Sequence, residues 1–262
     1  DSKTFLGKTI PAGQTAAKDL DSVVDILVNH PNTAPFVSLR LIQGMTTSDP
    51  SPAYLERVAT VFRDTKGNLA KVITAILTDP EARTGDVPSK ATANFGRIKE
   101  PLLMHTSAYR GLGCKVAPRA DWNPSTVRES SNQRPFNALS VFNFYPPNHR
   151  TQGTNVLAPE QKMLNSIEFS DRMTTLTYSF QDDSLLSSAG CDVEPFKAAQ
   201  AVSDEKLLDL INDRYFRGAI PAAISKSLID ANKNYSNRNK GLALTGAILD
   251  MASITSAYGV SK

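Results

Sequence analysis

Apolar side chains recur at every third or fourth position over most of this chain, which is the period of an α-helix with one face against a core. Between Asp19 and His30 this spacing places one set of side chains on a common inward face: Leu20, Val23, Val24, Leu27 and Val28. We therefore predict a helix there, ending before Pro31. The same period predicts further helices that begin at about 33, 51, 68, 97, 159, 203, 221 and 240.

Residues typical of helix starts precede several of these segments. Thr33 is expected to cap a helix by accepting a hydrogen bond from its first turn, and helices are expected to start at Ser51 with the proline after it, at Asn68 and at Ser203. Phe36 is expected on the inward face of the helix that Thr33 opens. Because the linkers between the first helices are short, neighbours are expected to pack as antiparallel hairpins. The predicted fold class is all-α, an irregular multi-helix array.

Residues 114–157 differ from the rest, since they are rich in proline, polar turn residues and aromatics and lack a helical period. A stretch of this length is more often a functional or packed loop than slack chain, so we expect one long ordered loop. It would separate a helical part at 1–113 from another at 158–262. We interpret 1–262 as a single helical domain or as the C-terminal portion of a larger one. No sheet is expected, and only a short extended piece within 5–10 departs from the helical pattern.

The end of the loop carries the most informative mixture of polar and aromatic residues. The candidate site consists of Gln133, Arg134, Phe136, Asn143, Phe144, Tyr145 and, just beyond the loop, Glu160. Aromatic side chains with a few polar groups suit a groove for a carbohydrate or for a partner's loop. The same residues can instead pin the loop onto the helices, with Arg134 paired to a carboxylate such as Glu160. Pinning is the favoured interpretation.

Other chemistries find little support in the residue spacing. The three histidines do not stand at metal-ligand spacing, so we expect no metal site. Neither a nucleophile elbow nor a glycine-rich phosphate loop is present, so catalytic residues stay unassigned and no cofactor is expected. The net charge is only +3, and we expect the basic residues around Arg97 to be solvated or paired with Glu100 rather than to bind nucleic acid. The most apolar stretch, 242–257, is too polar to span a membrane.

Two cysteines, Cys114 and Cys191, each follow a glycine in a loop-like context. In an oxidising compartment they would form a disulfide that closes a long loop, and in the cytosol they would be two free thiols. Spacing alone leaves both alternatives open.

Several motifs resemble, in the same order along the chain, a family of exported bacterial proteins known as domain of unknown function 1800. The matching runs are His30-Pro31-Asn32-Thr33-Ala34-Pro35-Phe36, Pro50-Ser51-Pro52-Ala53-Tyr54, Asp79-Pro80-Glu81-Ala82-Arg83, Gln133-Arg134-Pro135-Phe136, Ser140-Val141-Phe142-Asn143-Phe144-Tyr145 and Ser256-Ala257-Tyr258-Gly259-Val260. The resemblance is to the C-terminal part of that family. It implies a mostly helical protein exported to the periplasm or cell surface, and it supplies no activity.

The helical pattern, the lack of a local catalytic constellation and the resemblance together favour a structural or interaction module over an enzyme. We expect it to dock on an N-terminal portion of the same protein or on another subunit. A hydrolase that acts on cell-surface polymer is the alternative, and a carbohydrate-binding module is a second one.

Overall fold

A computed structural model of the chain confirms the mostly helical fold. The residues that it describes are 1–87, 89–92, 94–115, 133, 136–165, 167, 170, 177, 180–235 and 241–252. They divide into two compact units. Unit 1 comprises Asp1–Val87 and Ala91–Phe95, and unit 2 comprises Pro88–Lys90 and Gly96–Lys262. A single domain over 1–262 stays a prediction.

Unit 1 contains a short hairpin followed by helices. Its elements are β1 (Lys3–Phe5), β2 (Lys8–Ile10), α1 (Ala16–Val28), α2 (Thr33–Met45), α3 (Pro52–Asp64), α4 (Leu69–Thr78) and α5 (Pro80–Gly85). As predicted, α3 and α4 start at Ser51 and Asn68. The side chains of these two residues cap the helices by accepting hydrogen bonds from the N–H groups of Tyr54 and Lys71. Thr33 does not cap α2; it is the first helical residue, and the cap position is Asn32.

The core of unit 1 lies where α2, α3 and α4 pack together. Tyr54 and Val58, one turn apart on α3, are fully buried with Ile42 of α2 and Ile76 of α4. The hydroxyl of Tyr54 donates a hydrogen bond to the carbonyl oxygen of Ile76 at 2.7 Å. Burial raises the pKa of Tyr54 to about 12, so this phenol keeps its proton in the folded protein.

The expectation that the chain contains no sheet is wrong for its first residues. β1 and β2 form a two-stranded antiparallel sheet with Thr4 opposite Thr9. The connecting residues, Leu6 and Gly7, have φ values of 48° and 73°. Two successive left-handed residues make the tight turn whose twist matches a hairpin. The sequence did not predict this hairpin because leucine rarely adopts the left-handed conformation, and six strand residues are too few to show alternation.

The outer face of α1 is also unlike the prediction. Most of its large apolar side chains are exposed, with values of 63% for Leu20, 47% for Val24, 43% for Leu27 and 39% for Val28. None of the residues of α1 is fully buried. The period identified the helix correctly, but a helical period shows which side is apolar and not what covers that side. Phe36, expected inward, is likewise half exposed.

The guanidinium of Arg40 stacks 5.3 Å from the ring centroid of Phe36, so one face of this half-exposed ring is covered. Arg40 lies one turn after Phe36 on α2, so the two side chains meet on the helix surface. The aliphatic and planar parts of Arg40 therefore shield one face of the Phe36 ring, which lies outside the core.

Polar contacts from two positions of α3 reach the start of α5. Arg57 donates to both carboxylate oxygens of Asp79, from Nε at 2.7 Å and from Nη2 at 2.8 Å. The N–H of Ser51 donates to Oε1 of Glu81 at 3.0 Å, and its hydroxyl donates to Oε2. Asp79 also caps α5 by accepting from the N–H of Glu81. These residues therefore hold two helix ends in register.

Unit 2 is built around one central helix. Its described elements are α6 (Pro101–Gly111), a 3₁₀ turn (Pro159–Met163), α7 (Asp183–Ser188), α8 (Glu194–Val202), α9 (Asp204–Phe216), α10 (Ala222–Asn232) and α11 (Ala243–Ala252). α9 contacts α6, α8, α10 and α11. α9 starts at Ser203 as predicted, and the Ser203 side chain caps it. The hydroxyl of Tyr215 donates to the carbonyl oxygen of Ala108 at 2.8 Å.

Several boundaries in unit 2 differ from the prediction. The helix expected from about 97 begins at Pro101, because a residue before proline avoids the helical region and Glu100 is extended at φ −61° and ψ 153°. The helix expected from Pro159 opens with a 3₁₀ turn that ends at Met163. In the range 166–179 the described residues, Ile167, Ser170 and Thr177, are helical as expected, and the others lie outside the described part of the chain. Within the expected loop, residues 136–157 contain turns and two isolated bridges.

Cys114 and Cys191, which are 77 positions apart in sequence, are joined by a disulfide. Backbone hydrogen bonds flank the disulfide. The N–H of Asp192 donates to the carbonyl oxygen of Leu112 at 2.8 Å, and the N–H of Lys115 donates to the carbonyl oxygen of Ala189 at 3.1 Å. The cross-link therefore ties the end of α6 to the segment after α7.

Among the described residues, every helix is too short or too polar to cross a lipid bilayer.

The ion pair of Arg57 and Asp79 predicts a large effect of a single substitution. Arg57→Ala leaves the carboxylate of Asp79, whose side chain is 4% exposed, without its cation. We expect the free energy of unfolding to fall by about 2 to 3 kcal/mol in a urea titration. Arg63→Ala is the control on the same helix, because its pair with Asp64 is exposed and spans 3.8 Å. Equal losses of unfolding free energy in the two variants would show that the pair of Arg57 and Asp79 has no larger effect than an exposed pair.

The disulfide predicts a second stability effect. Closing a loop of this length restricts the unfolded chain, so reduction is expected to lower the free energy of unfolding by about 4 kcal/mol in the chain-entropy model. Thermal unfolding with and without dithiothreitol measures it. A Cys114→Ser, Cys191→Ser double variant should have the melting temperature of the reduced protein. Dithiothreitol should not change that temperature. An unchanged melting temperature on reduction would disprove the stabilising role.

Candidate functional site

The candidate site lies in unit 2, at the N-terminal end of α6. Arg97 and Glu100 precede that helix in an extended segment, and Pro101 occupies its first position, where no N–H is needed. The carbonyl oxygen of Glu100 accepts the first helical hydrogen bond, from the N–H of Met104 at 2.8 Å. This geometry fixes the Glu100 backbone and leaves its carboxylate to accept hydrogen bonds from elsewhere in the chain.

Arg97 lies between two carboxylates. Its Nη2 donates to Oε1 of Glu100 at 2.7 Å, and its Nε is 3.3 Å from Oε1 of Glu160 in the 3₁₀ turn. The side chains of Arg97 and Glu100 are 11% exposed, and that of Glu160 is 3% exposed. Carboxylates this buried are stable only when a cation and hydrogen-bond donors compensate for their lost water.

Two donors from the loop complete the site. Gln133 donates from Nε2 to Oε2 of Glu100, and its Oε1 accepts from the N–H of Leu102 at 2.9 Å. The hydroxyl of Tyr145 donates to Oε1 of Glu100 at 2.7 Å. Both flanks of the segment 136–142 are therefore fastened to one carboxylate. We call Arg97, Glu100, Gln133, Tyr145 and Glu160 the Glu100 cluster.

The electrostatics of the Glu100 cluster favour a neutral Tyr145. Burial and the hydrogen bond to Glu100 raise the pKa of Tyr145, because a phenolate beside that carboxylate would be repelled. Asn143 donates from Nδ2 to the oxygen of Tyr145 at 3.4 Å. The tyrosine is therefore held as a hydrogen-bond donor.

The structure brings together some of the residues expected from the sequence and separates others. Gln133, Asn143, Tyr145 and Glu160 belong to or touch the Glu100 cluster, whereas Phe136 is fully exposed. Phe144 is partly buried and takes no part in the cluster's hydrogen bonds that the structure describes. Arg134, the expected partner of Glu160, lies outside the described residues. The observed cation beside Glu160 is Arg97.

The sequence predicted the loop residues of this site but not the carboxylate of Glu100 at its centre. It anticipated a pair between the basic residues around Arg97 and Glu100, but it did not place Gln133 and Tyr145 on the same carboxylate. A local signal was available, since a glutamate directly before a helix-opening proline is held in extended backbone.

The chemistry that this arrangement supports is anchoring. The carboxylate of Glu100 accepts from three side chains, and the phenol of Tyr145 is held as a donor. Throughout the described part of the chain, no group of three or more histidine, cysteine, aspartate or glutamate side chains stands close enough to hold a metal ion.

Removing one hydroxyl tests the anchoring role. Tyr145→Phe loses a hydrogen bond to a charged group, so we expect the free energy of unfolding to fall by about 1.5 to 3 kcal/mol. Amide hydrogen exchange at 136–143 should also accelerate. The control is Tyr235→Phe, whose hydroxyl accepts a neutral hydrogen bond from Gln181 at 3.1 Å. Unchanged exchange at 136–143 in Tyr145→Phe would show that the tyrosine does not hold the loop.

Comparisons with known proteins assign the chain to a family. A search of curated proteins and a search of solved structures each returned no match. The family model described as "Protein of unknown function (DUF1800)" matches residues 1–254, nearly the whole chain. The motifs that resemble this family include Ser51 and Glu81, which join α3 to α5, and two members of the Glu100 cluster, Gln133 and Tyr145. The chain therefore belongs to the DUF1800 family of proteins of unknown function.

Proposed function

We propose that the protein is an interaction module that presents the segment 136–142 to an apolar protein surface, on another portion of the same protein or on another subunit. The observation that carries the proposal is the exposure of the segment's large apolar side chains. The exposed fraction is 108% for Phe136, 90% for Leu139, 94% for Val141 and 48% for Phe142. Four large apolar side chains exposed within seven residues are characteristic of a protein interaction site.

The backbone at the two ends of the segment supports the same role. Phe136 and Asn143 have φ values of 61° and 76°, in the left-handed region that side chains other than glycine rarely adopt. Such residues persist where their surroundings hold them, and they concentrate at functional loops.

The Glu100 cluster supplies the holding contacts. Gln133 lies before the segment and Tyr145 after it, and both donate to Glu100. A loop that is already ordered loses less conformational entropy when a partner binds. The pinning that the sequence predicts and the docking proposed here are therefore compatible, since the anchored flanks present the apolar residues between them.

The partner is a protein surface, contributed by another portion of the same protein or by another subunit. Export to an oxidising compartment, as the family resemblance implies, is part of the proposal and is supported by the Cys114–Cys191 disulfide.

The two alternatives are a hydrolase and a carbohydrate-binding module. A sugar site would need Tyr145 turned towards its ligand, and a hydrolase would need a carboxylate available to the reaction. The hydroxyl of Tyr145 and the carboxylate of Glu100 are instead bound to each other. This contact favours docking.

Photo-crosslinking tests the proposal. A photoreactive amino acid at Val141 of the full-length protein, expressed in its source cells, should yield one adduct of defined mass. Mass spectrometry then separates the two sources, because an intramolecular link joins two peptides of this protein and an intermolecular one adds another subunit. The control position is Val202, an equally apolar residue of unit 2 that is 73% exposed and lies outside the segment.

The identified partner surface is then purified and titrated. Leu139→Asp and Val141→Asp should each weaken binding at least about tenfold with little change in melting temperature, because both side chains are exposed and contribute little to the fold. Val202→Asp should leave the affinity unchanged. Equal labelling from Val141 and Val202, or equal affinities for all variants, would refute the proposal.

A further inference from the structure

The hairpin and α1 of unit 1 border an open cleft of about 810 Å³. Thr9 and Ile10 of β2 line one part of it, and Asp25 and Ile26 of α1 line another. Ile10 is buried and Ile26 is partly buried, so the cleft offers apolar walls as well as polar groups. A volume of this size accommodates a ligand as large as a short peptide.

The register of the hairpin leaves one backbone position of β2 open. The two-residue turn makes Phe5 and Lys8 a hydrogen-bonded pair, so Lys3 and Ile10 form the next such pair, and Thr9 lies between them. The N–H and C=O of Thr9 therefore point away from β1, and Thr9 lines the cleft. Within the described part of the chain, neither group has a hydrogen-bond partner. An unpaired strand edge is a template for another strand.

The charge at the cleft favours a cationic side chain. Asp25 is exposed and lies in the last turn of α1, a turn without a basic residue, where the helix carbonyl groups add negative potential. Lys8 also lines the cleft, but no ion pair joins it or any other described cation to Asp25. The nitrogen Nδ1 of His30 already accepts from the N–H of Asn32 at 3.2 Å.

We propose that this cleft binds an extended peptide segment, which adds to β2 as a third strand and places a lysine or arginine beside Asp25. The peptide backbone satisfies the N–H and C=O of Thr9, and its alternate side chains face Ile10 and Ile26. The site lies in unit 1 and is independent of the segment 136–142.

Calorimetric titration of the protein with a blocked hexapeptide of alternating valine and lysine tests the proposal. Binding with a Kd below about 1 mM is expected, and a matched peptide of valine and glutamate should bind at least about fivefold more weakly. Asp25→Asn should remove that preference. A Kd above about 1 mM for the lysine peptide, or equal affinities of the two peptides for the unaltered protein, would overturn it.

Two proline variants distinguish edge pairing from adhesion to the hairpin. Thr9→Pro removes the N–H on the outer edge of β2, whereas Thr4→Pro removes the corresponding N–H on the opposite edge of the same sheet. Neither N–H belongs to the ladder between β1 and β2. Binding should be lost in Thr9→Pro and kept in Thr4→Pro. Equal losses in both would overturn the proposal.

A change in the peptide provides a test that does not depend on the variants folding. N-methylation of the peptide's central residues removes the N–H groups that would donate to the carbonyl oxygen of Thr9. Binding of the unaltered protein to this peptide should be lost. If the methylated peptide binds as tightly as its parent, the peptide does not pair with the strand.

Discussion

A buried carboxylate is the constraint on which the loop side of unit 2 depends. Glu100 is held in extended backbone by the proline that follows it, and its side chain is almost entirely removed from water. Arg97 neutralises it, and Gln133 and Tyr145 supply the remaining hydrogen bonds. Because an uncompensated charge in this place would be strongly destabilising, the loop must return to α6 at both flanks of the segment 136–142. The exposed apolar side chains therefore lie between two fixed points.

Local chemistry made much of the helical architecture predictable. Ser51, Asn68 and Ser203 cap the helices that the pattern assigned to them, since a capping bond involves residues only three positions apart. The boundary at Pro101 and the hairpin at 3–10 were misjudged for equally local reasons, a restricted residue before proline and a leucine in a left-handed turn. What covers the outer face of α1 is a question of long-range packing, which periodicity does not address.

The site was harder to predict because its contacts are long-range. Gln133 and Tyr145 lie 33 and 45 positions from Glu100 in sequence, so the spacing that identifies a helix face carries no information about their meeting. The sequence did identify the loop residues by type, since glutamine, asparagine and tyrosine among phenylalanines indicate a packed polar loop. It assigned the cation to Arg134, whereas Arg97 beside α6 is the one observed at Glu160.

The position of the disulfide has a consequence for what a protease would do to the protein. Cys114 lies before the segment 136–142 and Cys191 after it. Exposed loops are where proteases nick folded proteins. A cut within the segment would leave both fragments covalently joined, and the helices of unit 2 would keep their neighbours. The molecule would thus remain one covalently linked two-chain protein after such a cut, with new termini beside the exposed apolar side chains.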